Sequence, residues 1–365
     1  AYSTPFSELH TKLLMAEAER LVTSKQHPDY PHLWLYTYTQ QCVFQRAWDE
    51  TTTLARGLIL DVEAQKIVAA PFPKFFNLGE RNEPLPSLPF EVFEKMDGSL
   101  IILYHYDGKW RTATKGSFVS EQAQWAQAWI DKQDINFLPR PCTYLCEVTY
   151  PENKIVVDYN YSGLTLLGAY NDVGREVNWE GVETVAKCLD WPCACKYTFS
   201  TIEHIVSEAK SLSKDEEGFV LRYSNGHRIK IKGEEYLRLH RAMSKLTPLH
   251  VWEMMRDKVD LTLFKRDLPE EFWKDFDTIL VLITNQMSRI VSKVKAENEK
   301  WTMADNKQVG LALHTMEPIV RKLIFAYREA KLHDGRARIA LMNAVRPTNN
   351  KLEGYVPNRK LEEIE

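Results

Sequence analysis

Up to about residue 245 the chain repeatedly alternates apolar and polar positions at period two, and beyond it the apolar positions recur at helical spacing. Alternation on both sides of Lys95-Met96-Asp97-Gly98-Ser99, at 90–94 and 100–104, predicts strand, turn, strand, with Lys95 at a sheet rim. The same signal predicts strands at 34–38, 143–150, 155–157 and 164–170, and hairpins at 56–62 with 67–71, around Asp107-Gly108, and around Ser224-Asn225-Gly226. Helical spacing predicts helices at 5–24, with Ser7 as N-cap, and at 120–131, 272–294 and 318–331. The tail after Arg346 carries no regular pattern.

Three places break these patterns in chemically useful ways. Glu147 is an acid inside an apolar strand, which is costly without a partner or a cation. Arg228, Lys230 and Lys232 share one strand face, with Ile229 and Ile231 on the other; such a row of cations suits solvent or an anion. Pro73-Lys74-Phe75-Phe76 cannot continue as a central strand, so one aromatic is expected to pack inward while the other walls a pocket.

With 365 residues, 44% of them hydrophobic, the chain can bury a large core, and its length and texture predict two domains, 1–245 and 246–365. No run of about 18 apolar residues suggests a membrane span, and the first 25 residues do not resemble a signal peptide, so no membrane partner and an intracellular location (cytoplasm, or host cytoplasm for a viral protein) are expected. Six cysteines are too few for a disulfide framework in so long a chain, and Cys193-Ala194-Cys195 lacks zinc-knuckle spacing. The net charge of -3 means that nucleic acid must be met by local clusters; the best in the second domain is 321–346, with seven Arg or Lys against two acids.

Arg56, Lys74, Lys95, Asp97, Lys115, Glu147, Glu217, Lys230 and Lys232 succeed one another along this sheet-rich half. Cations answer phosphates and carboxylates answer Mg2+, so their joint pattern fits a nucleoside triphosphate with a divalent metal.

Ala55-Arg56-Gly57, Pro73-Lys74-Phe75-Phe76-Asn77-Leu78, Lys95-Met96-Asp97-Gly98-Ser99-Leu100, Thr114-Lys115-Gly116-Ser117, Glu147, Glu217-Gly218-Phe219-Val220 and Lys230-Ile231-Lys232 resemble the motifs of covalent nucleotidyltransferases. More closely they resemble the phage RNA ligase 1 family, the tRNA-repair type of ATP-dependent RNA ligase, over about 34–236. The resemblance implies an α+β fold: an antiparallel-sheet nucleotidyltransferase (ATP-grasp-like ligase adenylation) domain followed by an all-helical C-terminal domain, with a possible role in RNA or tRNA choice. It implies ATP with Mg2+ (or Mn2+), and RNA with 3'-OH and 5'-phosphate ends, including broken tRNA, prepared by a separate end-healing kinase and phosphatase. Residue by residue, it makes Lys95 the nucleophile that takes AMP. Tyr36 or Phe76 would stack on adenine, and Glu147 would hold the ribose or a metal-bound water. Arg56, Lys74, Lys115, Lys230 and Lys232 would contact phosphates, Gly98 and Tyr236 would line the ATP pocket, and Asp97 and Glu217 would orient the lysine or the metal, with Asp97, Glu147 and Glu217 as metal residues through water. Met96 and Ala113 depart from the family pattern in details of the pocket. Neighbouring cations and the metal are expected to lower the pKa of Lys95.

DNA ligases and capping guanylyltransferases share the lysine chemistry, but usually continue into an OB-fold, whereas 246–365 reads as helical. A non-catalytic RNA-binding protein on the same fold is the third reading, against which stand the retained Lys95, Glu147 and Glu217.

Overall fold

In the computed structural model, which describes residues 2–268, 272–348 and 350–357, three sheets build one compact unit, Ala1–Leu237, and helices build a second, Arg238–Glu365. The division falls within α7 (Glu234–Ser244) rather than after it.

The first sheet is an antiparallel meander of β1 (Val22–Gln26), β2 (Leu33–Tyr38), β3 (Arg56–Asp61) and β4 (Lys66–Ala69), covered by α1 (Phe6–Ala18). The helix expected over 5–24 therefore stops at Ala18, and its N-cap is Pro5 rather than Ser7. Leu21 to Gln26 leave the helical pattern because Val22 to Gln26 pair with β2, so tertiary pairing overrides the local spacing.

In the second sheet, β10 (Gly163–Tyr170), β9 (Thr143–Thr149), β7 (Ser99–Tyr106) and β8 (Lys109–Ala113) lie in that order. Its strands are buried on both faces, which explains the unbroken run Leu100-Ile101-Ile102-Leu103. Ile102, Tyr104 and Leu145 pack into the first sheet's core, while Ile101, Leu103, Cys146 and Val148 pack against α4 (Glu121–Ile130) and α5 (Trp179–Leu189). Glu147 shares the face of Leu145.

The third sheet, in the order β11 (Lys196–Tyr197), β6 (Phe90–Lys95), β12 (Gly218–Tyr223), β13 (Arg228–Lys232) and β5 (Phe76–Asn77), is antiparallel except for the β13 to β5 pairing, and α6 (Ile202–Ser211) covers one face. On β13 the isoleucines are buried and the three cations half-buried, as the alternation predicts. β6 and β7, read as strand, turn, strand, do not pair with each other: the Asp97-Gly98 turn crosses from the third sheet to the second. Residues 155–157 are not a strand; they belong to the loop between β9 and β10.

The second unit contains α8 (Pro248–Arg256), α9 (Leu261–Asp267), α10 (Trp273–Glu299), α11 (Asn306–Ala312), α12 (Pro318–Arg328) and α13 (Gly335–Ala344). Of the patternless tail after Arg346, residues 349 and 358–365 lie outside the described residues. Among the described residues no helix is long and apolar enough to cross a membrane, and all six cysteines are free thiols. Smaller helices α2 (Gln40–Gln45) and α3 (Glu50–Leu54) fill the connection from β2 to β3.

Candidate active site

Three neighbouring strands deliver the central charges. Their register sets Lys95 opposite Gly218 and Gly218 opposite Lys232, so two lysines flank the strand that begins just after Glu217. The Glu217 carboxylate reaches both: Oε1 lies 2.9 Å from Lys95 Nζ and 3.8 Å from Lys232 Nζ. Glu217 is only 4% exposed, and its Oε2 is buried without a hydrogen-bond partner among the described residues. Leaving such an oxygen unpaired costs about 1–3 kcal/mol or more, so the atom marks a place where a cation is stabilising.

The crossover after Lys95 is held from three directions. The Asp97 amide donates to the Tyr159 hydroxyl at 2.8 Å, and Asp97 Oδ2 accepts from the amides of Val156 and Val157 at 2.7 and 2.8 Å. Asp97 Oδ1 accepts from the Tyr236 hydroxyl at 2.8 Å. The Gly98 amide donates to Glu147 Oε1 at 3.1 Å. A side chain at Gly98 would place its Cβ 2.4 Å from the Val148 carbonyl oxygen, so only glycine lets the turn lie this close to β9. Asn153 on the same loop donates to Ser99 Oγ at 2.9 Å. The amides of Val156 and Val157 thus find partners in a carboxylate instead of a strand ladder.

These contacts decide the protonation states. Burial acts to lower the Lys95 amine, but the carboxylates of Glu217 and then Glu147 outweigh it, and the amine is held above its ordinary range. The expectation that neighbouring cations lower it is corrected, because the groups nearest Lys95 are acids. Burial raises Glu217 against the pull of Lys95. At 2.9 Å the contact itself favours ammonium with carboxylate. The proton-holding acid is Glu147, which burial pushes up to about 8 against the opposing pull of Lys95.

Lys95, Asp97, Gly98, Glu147, Glu217, Lys232 and Tyr236 are therefore brought together. Lys230 lies two residues along the same face of β13, with its ammonium 5.8 Å from the Phe75 ring centre. Gly57 sits against the backbone of Thr114 and Lys115, where an added Cβ would be 3.1 Å from Lys115 Cα, and this sets Arg56 beside Lys115. Lys74 stands among the rings of Tyr38, Trp48 and Phe76, 5.1 to 5.5 Å from their centres.

One of the two residues expected to stack on adenine does not match the geometry. Tyr36 is 2% exposed in the first sheet's core and has no face to offer. The other, Phe76, is half-buried, with its ring beside Trp48, Lys74 and Arg81. Asp97, Glu147 and Glu217, expected to act on a metal through water, make no direct cage: no group of three or more His, Cys, Asp or Glu among the described residues is placed to hold an ion. Asp97 commits both oxygens to protein donors, whereas Glu217 Oε2 and the Glu147 carboxylate are the hard oxygen donors that suit a divalent cation keeping much of its water. Tyr159, Asn153 and Trp48 escaped sequence reasoning; polar and aromatic residues in a loop carry no periodic signal, and only the partners they meet distinguish them.

In the helical unit the basic stretch 321–346 is largely internal glue. Arg328 donates to Asn298, Asn306 and the carbonyls of Trp301 and Ala304. Arg338 caps α8 by donating to the Met255 and Arg256 carbonyls, Arg321 donates to the Met316 carbonyl, and Arg346 lies over the Trp252 ring. The expectation that this stretch grips a phosphate backbone loses Arg328 and Arg338, while Arg321 and Arg346 remain exposed.

Comparison with known proteins agrees with the motifs. A putative bifunctional polynucleotide kinase/RNA ligase of Autographa californica nuclear polyhedrosis virus is 28% identical over 237 residues, 55% of this chain but 33% of that protein. A putative RNA ligase of Thermovibrio ammonificans is 26% identical over 208 residues, 52% of this chain and 54% of its own length. The chain thus spans between a third and about half of these curated relatives. A solved archaeal ATP-dependent RNA ligase superposes with a TM-score of 0.48 at 15% identity, covering 78% of this chain and 83% of that one. The RNA ligase family model matches residues 54–236, from just before Arg56 to Tyr236 and therefore every motif of the site, and the chain belongs to the RNA ligase family.

Proposed function

We propose that this protein is an ATP-dependent RNA ligase that joins RNA 3'-OH and 5'-phosphate ends through a lysyl-AMP and an RNA-adenylate. The observation that supports it most directly is the buried Glu217 carboxylate between Lys95 and Lys232, beside a turn locked by Asp97.

In the first step Lys95 Nζ gives up a proton and bonds to the α-phosphorus of ATP, and the bond to the bridging oxygen breaks, releasing pyrophosphate. An RNA 5'-phosphate oxygen then displaces the lysine, whose amine regains a proton. Finally the 3'-hydroxyl attacks the 5'-phosphorus and AMP leaves. Lys230 and Lys232, with Arg56, Lys74 and Lys115, offset the phosphate charge. Bound Mg2+ or Mn2+ would supply positive charge to the phosphates. Glu217 and Glu147 are the residues fit to hold it, and Asp97 is left to hold the turn.

Beyond β13 the chain is helical, which favours an RNA ligase over a DNA ligase or capping enzyme; the helical unit is assigned to RNA choice, with broken tRNA as one substrate. Six free thiols suit a reducing intracellular compartment. Incubation with α-labelled ATP and Mg2+ is expected to label the protein covalently and Lys95→Ala to abolish it; label persisting in that variant rejects the nucleophile. Single-stranded RNA, nicked duplex and broken tRNA, offered side by side, then identify the ends that are joined.

A further inference from the structure

Trp48 sits between two other rings, edge-on to Tyr38 at 5.0 Å and to Phe76 at 5.6 Å. The three enclose the Lys74 ammonium, and the Arg81 guanidinium lies 4.8 Å from the centre of the Phe76 ring. These residues come from the end of β2, the loop between α2 and α3, the approach to β5, β5 itself and the loop beyond it. All five are half-buried, so each keeps solvent-facing surface. None of the rings belongs to the hydrophobic cores of the three sheets. Tryptophan, tyrosine and phenylalanine left out of every sheet core, yet gathered around two cations, call for a ligand that is both flat and anionic.

The position favours a polymer end over a small molecule. β5 is the edge strand of the sheet that carries Lys95, three strands away from β6. At about 4.8 Å per strand this sets the box on the order of 15 Å from the Lys95 row, with the Lys230 face of β13 between them. Aromatic faces with interleaved cations beside a basic track are how unpaired nucleic acid is held without sequence readout: bases stack, and phosphates meet the charges. Paired bases cannot stack on side chains in this way. The overall charge of -3 makes the local cations decisive.

We propose that the Trp48, Phe76 and Tyr38 box, with Arg81 at its rim, is a landing site for an unpaired stretch of RNA adjoining the end to be sealed. The assignment rests on the ligase reading given above, and names the substrate class of that site as single-stranded RNA.

The test uses the full chain, without ATP, and a fluorescent 5'-phosphorylated single-stranded oligoribonucleotide read by anisotropy. Trp48→Ala is expected to weaken binding about tenfold, and Trp48→Phe to recover most of it. Arg81→Ala is expected to reduce the slope of log affinity against log salt by about 0.7, the loss of one phosphate contact to a single strand. Self-adenylation by Arg81→Ala is expected at the wild-type rate, and duplex RNA is expected to compete poorly. Unchanged RNA affinity in Trp48→Ala and Arg81→Ala overturns the proposal. So does a raised ATP requirement for self-adenylation with RNA affinity intact, which would put the box in the nucleotide pocket. A wild-type chain that fails to self-adenylate, yet loses RNA affinity on Trp48→Ala, removes the ligase reading and keeps the box.

Discussion

Glu217 Oε1 lies 2.9 Å from Lys95 Nζ, so the amine that the chemistry needs neutral is held as an ammonium by the acid beside it. The contact keeps the proton on the amine. Glu217→Gln removes that hold, and Lys95 is expected to react severalfold faster at pH 8 with an amine-acylating reagent, read by mass spectrometry on the nucleotide-free protein. Equal labelling of Lys95 in both proteins would show that Glu217 does not set its protonation. The stability side of the same shift has a definite sign: a raised lysine contributes stability that is present at neutral pH and lost only as pH climbs through its folded value.

Glu147 has the opposite pH signature to most carboxylates. Its folded-state value is raised to about 8, so between about pH 4.5 and 8 the folded protein holds a proton that the unfolded chain has released, and stability falls as pH rises. Glu147→Gln is expected to flatten that fall. Thermal unfolding of the two proteins from pH 5 to 8 checks it: parallel curves would mean that Glu147 titrates normally.

Asp97 ties the Lys95 turn to the loop between β9 and β10 and to Tyr236. Hydrogen bonds to a buried charge are worth about 1.5–3 kcal/mol each, so Asp97→Asn is expected to lower stability by about 3 kcal/mol. Tyr159→Phe, which leaves the Asp97 amide without its acceptor, is expected to cost about 1–3 kcal/mol. Urea midpoints measure both, and limited proteolysis is expected to find new cleavage between residues 151 and 162 in each. An uncut loop would mean that the clamp does not hold it.

Arg328 and Arg338 are expected to matter for folding rather than for RNA. Arg328→Ala removes donors from two carbonyls and two asparagines and is expected to destabilise the helical unit by about 2–4 kcal/mol. Arg338→Ala, which uncaps α8, is expected to leave the salt dependence of RNA binding unchanged. A shallower salt slope in that variant would restore the stretch as a phosphate grip.

Much of this site is written locally. Alternation placed β7, β9, β10 and the β12 to β13 hairpin, and it put Lys230 and Lys232 on one face, because side chains on a strand alternate whatever lies beyond it. The misreadings share one cause. β1 falls partly inside the helix expected over 5–24, 155–157 is expected as a strand, and the resemblance implies Tyr36 as a stacker on adenine; in each case the deciding partner lies outside the segment itself: β2, Asp97 and the first sheet's core.

Residue types and their order alone settled the two textures of the chain, the strand faces and the set of acids and cations that make a phosphoryl-transfer site, since these depend on spacing and side-chain chemistry. Only the packed chain decided that the lysine turn crosses between two sheets, that Asp97 holds a loop, that Lys95 meets an acid, and that three aromatic rings surround Lys74. Those facts are distances between residues remote in sequence, and burial, which sets the strength of every charge involved, exists only once the sheets have closed over them.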